Sequence, residues 1–85
     1  GALVGLTRSL AHELGEDGIT VNCIAPGDVL THSETPELKQ AILDGQAIQR
    51  RIEPRDLAGI ICLLLSDAGA MITGQTINVD AGLMH

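Results

Sequence analysis

Leu3, Leu6, Leu10 and Leu14 recur at the 3.6-residue period and predict an amphipathic helix over residues 2–14. Gly15 and Gly18 stop it. Its opposite side carries Gly1, Gly5, Ser9 and His12, a row of mostly small residues that admits a neighbouring backbone, so both faces of this helix are expected to be packed. Without such packing, a mid-helix glycine at position 5 costs about 1 kcal/mol relative to alanine.

Ile19-Thr20-Val21-Asn22-Cys23-Ile24-Ala25 is a β-branched run between Gly18 and Pro26-Gly27, and it reads as a buried strand. A helix joined by a short turn to such a strand is half of a βαβ unit, whose parallel neighbours are expected outside these residues. Residues 28–51 are more polar. Pro36 suits a first helical position after Glu34 and Thr35, while Leu38, Ala41, Ile42, Ala47 and Ile48 mark weak amphipathic turns interrupted by Gly45. Short helices in a mobile, lid-like excursion are expected there.

Glu53-Pro54-Arg55-Asp56 opens a further helix, with proline suited to its first turn and carboxylates to its positive end. Leu57, Ala58, Ile60, Ile61, Cys62, Leu63, Leu64 and Leu65 carry apolar side chains around most of its circumference, so it is expected to be buried all round. After a turn at Thr73-Gly74, Gln75-Thr76-Ile77-Asn78-Val79-Asp80 reads as a final strand. Two strands cannot make an independently stable parallel sheet. The expected fold class is α/β, the C-terminal portion of a doubly wound parallel sheet larger than these residues.

Composition narrows the function. Eleven acidic side chains against 5 basic give a net charge of −6, and there is no Phe, Tyr or Trp. Clustered cations and stacking aromatics are thus missing, and no nucleic-acid partner is expected. The longest apolar run, residues 60–65, is far below a membrane span of roughly 18–20 residues, so no membrane partner is expected either. Cys23 and Cys62 lie in apolar segments and read as buried, reduced thiols of a cytoplasmic protein. His12, His32 and His85 share no ligand spacing, so no metal site is assigned. The chain begins at Gly1 rather than Met, which fits a processed or partial product.

Val21-Asn22-Cys23-Ile24-Ala25-Pro26-Gly27-Asp28-Val29-Leu30-Thr31 is similar to the strand and Pro-Gly loop of the short-chain dehydrogenase/reductase family. Arg51-Ile52-Glu53-Pro54-Arg55-Asp56-Leu57-Ala58, Leu64-Leu65-Ser66-Asp67, and Ile72-Thr73-Gly74-Gln75 with Val79-Asp80-Ala81-Gly82 resemble its C-terminal signature. The blocks keep the family's order and spacing, and the resemblance extends to its 3-oxoacyl-[acyl-carrier-protein] reductase-like members. It implies that residues 1–85 are the C-terminal part of a single NAD(P)-binding Rossmann domain whose upstream part is absent. It also implies an oxidoreductase that moves a hydride between NAD or NADP and a small-molecule carbonyl or alcohol substrate. The family's Gly-rich phosphate turn and catalytic Ser, Tyr and Lys find no match here: there is no Tyr, and the glycines at 1, 5, 15 and 18 follow no strand. In the family, the Tyr-x-x-x-Lys pair precedes a segment like Gly1-Ala2-Leu3-Val4-Gly5-Leu6-Thr7-Arg8, which places the lysine immediately before Gly1. No catalytic residue is therefore assigned.

On the residues alone, Pro26-Gly27 is a strand-ending turn and Thr31 an exposed loop residue. The resemblance instead assigns Pro26, Gly27, Val29 and Thr31 to the nicotinamide end of a cofactor site. Pro26 and Gly27 then shape the loop at the carboxyl end of the strand, the Val29 backbone holds the carboxamide, and the Thr31 hydroxyl meets the carboxamide or a phosphate. Asn22 and Asn78 are expected to hold adjacent backbone, and Asp80 to act as a turn or strand-end acceptor. Asp28 and Glu34 read as solvated loop carboxylates, or as lining of a substrate pocket that His32 enters directly after Thr31. Covering Leu57, Ile60, Ile61, Leu64 and Ala68 with the sheet leaves Ala58, Cys62, Leu63 and Leu65, so a homo-oligomer is expected. It is a dimer or tetramer in which helix 54–65 and strand 75–80 meet their own copies, unless upstream segments cover these faces. A reading of a different class is a non-catalytic fragment or oligomerisation module of the same family.

Overall fold

A computed structural model describes residues 1–84. Helix α1 (Ala2–Leu14) is followed by a 3₁₀ turn over Gly15–Asp17, closed by Gly18 at φ 74° with its N–H on the Gly15 carbonyl at 3.0 Å. That left-handed backbone is the reason a glycine closes this turn. The packed face differs from the leucine stripe. Thr7 and Ala11 are buried and Leu10 and Leu14 half-buried, whereas Leu3 and Leu6 are 62% and 55% exposed. Thr7 tolerates burial because its hydroxyl donates to the Leu3 carbonyl at 2.7 Å. The two-stranded sheet is too narrow to cover the rest of the stripe, and nothing lies within 4 Å of where a Cβ on Gly5 would stand.

Strand β1 (Cys23–Pro26) pairs in parallel with the last strand of the chain (Thr76–Val79, β2), in a register running from Cys23 opposite Thr76 to Pro26 opposite Val79. One parallel neighbour expected elsewhere is therefore supplied by the chain itself. β1 begins only at Cys23 rather than at Ile19, because before it side chains take over much of the pairing and a single backbone bond, from the Gly74 N–H to the Val21 carbonyl at 2.8 Å, remains. The Val21 N–H donates to the Thr73 hydroxyl at 3.0 Å, and Asn22 takes the Ile72 carbonyl at 3.0 Å and the Gln75 N–H at 3.1 Å. Asn22 thus holds adjacent backbone as expected, while Asn78 is exposed and has no side-chain bond among the described residues.

Between the strands, α2 (Pro36–Asp44) starts with proline in its first turn and with the Thr35 hydroxyl accepting the Leu38 N–H at 3.2 Å. Ala47 and Ile48 lie outside any helix. Both their N–H groups donate to the Ala81 carbonyl, at 2.9 and 3.0 Å, so the excursion is tied to the segment after β2 rather than hanging free.

Helix α3 (Pro54–Leu65) is anchored at its start by Asp56, whose carboxylate accepts the Glu53 N–H at 2.7 Å and both terminal nitrogens of Arg50 at 2.9 Å. The Arg50 guanidinium first, and the Glu53 N–H second, hold the Asp56 carboxyl at a pKa of about 2. Along the helix, Leu57, Ile60 and Leu64 are half-buried, but Ile61, Leu63 and Leu65 are exposed, as is Ala68 beyond it. The expectation of burial all round therefore fails within these residues. Cys62 is exposed on this uncovered helix and Cys23 only half-buried, which corrects the reading of both as buried thiols; both are free.

The radius of gyration, 15.4 Å, exceeds the roughly 12 Å of a compact domain of this length. The accessible surface, 6032 Å², exceeds the roughly 4,800 Å² of a folded monomer of this mass. The excess is surface that a self-contained domain would cover, and the exposed sides of α1 and α3 supply much of it. No helix among the described residues is long and apolar enough to cross a membrane.

Candidate functional site

The site starts where β1 ends. Pro26 is exposed opposite Val79, has no N–H to extend the ladder, and so marks the strand's last residue. Gly27 donates its N–H to the Val79 carbonyl at 3.0 Å, and the chain there runs hard against Asp80. A Cβ on Gly27 would lie 3.0 Å from both Cα and Cβ of Asp80 and 3.2 Å from Cδ1 of Ile52, so glycine is what permits the approach. Asp80 is the strand-end acceptor expected of it: its carboxylate takes the Gly82 N–H at 3.0 Å and its carbonyl the Leu83 N–H at 3.1 Å.

Two residues further on, Val29 forms an isolated parallel bridge with the buried Ile52, made by the Leu30 N–H on the Ile52 carbonyl at 2.7 Å. In a parallel bridge of this kind the bonds run to the neighbours of Val29 and not to Val29 itself. The Val29 N–H and C=O accordingly have no hydrogen-bond partner among the described residues, although the loop carrying them is pinned on both sides.

Thr31 is exposed, with its N–H on Glu34 Oε2 at 3.4 Å and its hydroxyl unpartnered among the described residues. It lines a cleft of about 520 Å³ together with Leu30, His32, Lys39, Glu53, Pro54 and Arg55. His32 thus joins Thr31 in one cleft, between the loop and the start of α3. A larger cleft, about 700 Å³, lies between α1 and the residues leading into β2, around Arg8, His12, Thr73 and Gln75. It opens at the amino end of β2, whereas open parallel sheets bind ligands beyond the carboxyl ends of their strands, so the smaller cleft is the better candidate.

Glu34 is neither solvated nor part of the cleft lining. Its side chain and that of Arg51 are each 8% exposed and form a bidentate ion pair, with Arg51 Nη2 on Glu34 Oε2 at 2.9 Å and Nη1 on the other carboxylate oxygen. Arg51 Nη2 also donates to the Asp28 carbonyl at 3.2 Å. The hydrogen bond from Arg51 holds the Glu34 carboxyl below the usual carboxylate range and raises the guanidinium's own pKa. Asp28 itself is exposed. The resemblance includes Arg51 and not its neighbour Arg50, but neither periodicity nor spacing indicates that Arg51 is buried against Glu34. No cluster of His, Cys, Asp or Glu suited to a metal ion occurs among the described residues, which exclude His85.

A family model described as enoyl-(acyl carrier protein) reductase matches residues 1–84. The chain belongs to the short-chain dehydrogenase/reductase family. It is 40% identical to D-xylose 1-dehydrogenase of Caulobacter vibrioides over 82 residues, 92% of this chain and 33% of that protein. It is also 40% identical to 3-oxoacyl-[acyl-carrier-protein] reductase of Staphylococcus aureus over 84 residues, 95% of this chain and 34% of that protein. The crystal structure of a 3-oxoacyl-[acyl-carrier protein] reductase from Brucella melitensis with bound NAD superposes with a TM-score of 0.88 at 35% identity, covering 99% of this chain and 31% of that one. The chain thus spans about a third of the length of these short-chain dehydrogenases/reductases, and its two parallel strands and helices belong to their Rossmann-type α/β fold.

Proposed function

We propose that residues 1–85 are the C-terminal part of a single NAD(P)-binding Rossmann domain, and that the full-length protein moves a hydride between NAD or NADP and a small carbonyl or alcohol substrate. The observation that carries this reading is the Val29 peptide: an N–H and a C=O without partners among the described residues, on a loop pinned at Gly27 and Leu30, beyond the carboxyl end of β1. A nicotinamide carboxamide offers an acceptor oxygen and a donor nitrogen, which the two Val29 groups complement. Pro26 and Gly27 set the depth of the loop, and the Thr31 hydroxyl is free to donate to the carboxamide or a phosphate. When bound, the cofactor supplies the hydride.

The bound NAD of the Brucella reductase supports a nicotinamide cofactor, and relatives named for D-xylose and for a 3-oxoacyl-[acyl-carrier-protein] support a carbonyl or alcohol substrate. Two free thiols suit a reducing, cytoplasmic setting. Among these 85 residues there is no Tyr to act as proton donor. The full-length protein will oxidise NADH or NADPH in the presence of a member of a carbonyl panel, and a sample shown by intact mass to hold only these 85 residues will not. Turnover by the short sample, or none by the long one, overturns the assignment. In the full-length protein Thr31→Ala will raise the cofactor KM about fivefold, the equivalent of one hydrogen bond worth about 1 kcal/mol. Unchanged kinetics would remove Thr31 from the site.

The uncovered faces of α1 and α3 favour a second reading, in which the chain is a non-catalytic fragment or oligomerisation module. Within the first reading, the chain forms a homo-oligomer, a dimer or tetramer, in which α3 and β2 meet their own copies. Leu63, 40% exposed on α3, separates self-association from cover by the same chain. Leu63→Glu will dissociate the full-length oligomer into folded subunits in sedimentation. An unchanged oligomer carrying this substitution contradicts association through this face.

A further inference from the structure

We propose that Arg51, through Glu34, is a positioning residue that holds the Val29–Thr31 loop in the geometry the nicotinamide end requires; this rests on the function proposed above. The pair reaches that loop from both ends. Arg51 Nη2 takes the Asp28 carbonyl at 3.2 Å, just before Val29, and Glu34 Oε2 takes the Thr31 N–H at 3.4 Å, just after Leu30. Between these two ties, the Leu30 N–H sits on the carbonyl of Ile52, the residue next to Arg51. One buried guanidinium and one buried carboxylate, 17 positions apart, thus enclose the stretch that carries Val29, whose N–H and C=O have no partner among the described residues.

The neighbouring arginine makes a useful contrast. Arg50 has a side chain 56% exposed and serves the start of α3 through Asp56, with no bond to the loop. A buried ion pair gives little net stability over apolar residues of the same volume, since desolvating both charges offsets most of their attraction. What it provides here is geometry: a planar fork whose two terminal nitrogens meet both carboxylate oxygens and the Asp28 carbonyl at once. Lysine in its place keeps the charge and loses the fork.

The test uses the full-length protein and two ligands, NADH or NADPH and ADP-ribose, which lacks the nicotinamide. Arg51→Lys will weaken binding of the reduced dinucleotide about tenfold and lower kcat, while the Kd for ADP-ribose stays within about twofold of wild type. Glu34→Gln, which keeps the side chain's shape, will give the same pattern at about threefold and provides the answer should Arg51→Lys not fold. Equal loss for both ligands, unchanged binding of both, or unfolding of both variants assigns the pair a purely structural role and overturns the proposal. A wild-type protein that binds ADP-ribose but no reduced dinucleotide instead overturns the functional reading on which it rests.

Discussion

Gly27→Val will lower kcat/KM of the full-length protein about 100-fold while leaving it folded. The β-carbon alone would stand 3.0 Å from the Asp80 backbone and 3.2 Å from the Ile52 side chain, and the two valine methyl groups extend further into the same space. Asp80 is fixed by its bonds to Gly82 and Leu83, so the loop is the part that yields. A shift of about 1 Å in a positioning element costs on the order of 10²-fold in rate, because reacting atoms leave their near-attack geometry. Steady-state kinetics beside a thermal melt checks this. A variant with wild-type kcat/KM would show that Gly27 does not set the position of the Val29 peptide.

Gly69→Ala will act on stability instead. Gly69 is buried in the 3₁₀ turn after α3, and a β-carbon there would overlap the Leu63 carbonyl oxygen and lie 2.9 Å from Leu64 Cα. Both are backbone atoms of α3, which cannot give way without moving the end of the helix. Overpacking of this kind costs about 3 kcal/mol, which for a protein of roughly 150–250 residues lowers Tm by about 6–12 °C. Calorimetry of the full-length protein checks it, and a Tm within 2 °C of wild type, a limit of about 0.5–1 kcal/mol, would mean that the turn relaxes freely.

Local features of this fold were legible in the sequence. Gly18 closing the 3₁₀ turn after α1, Thr35 and Pro36 starting α2, and Pro54 with Asp56 starting α3 are determined by residues within one turn of each other. What escaped was non-local. The pairing of β1 with β2 joins Cys23 to Thr76, and no period in either segment announces that partner. The leucine stripe of α1 and the apolar girth of α3 predicted packed faces, yet Leu3, Leu6 and Leu65 are exposed, because nothing among the described residues packs on them. Pro26, Gly27, Val29 and Thr31 were readable as a candidate site only through the resemblance, since as isolated residues they describe an ordinary turn. Arg51 opens a block that resembles the family's C-terminal signature, but its pairing with a loop carboxylate 17 positions earlier is non-local and carried no sequence signal.

The central claim, that the Val29 peptide holds the nicotinamide carboxamide, is tested most directly by a crystal structure of the full-length protein with NAD or NADP bound. The account predicts the Val29 nitrogen and carbonyl oxygen each within about 3.2 Å of the carboxamide, an ordinary hydrogen-bond distance. A dinucleotide seated with its nicotinamide away from residues 26–31, and with the Val29 peptide facing solvent, would contradict it.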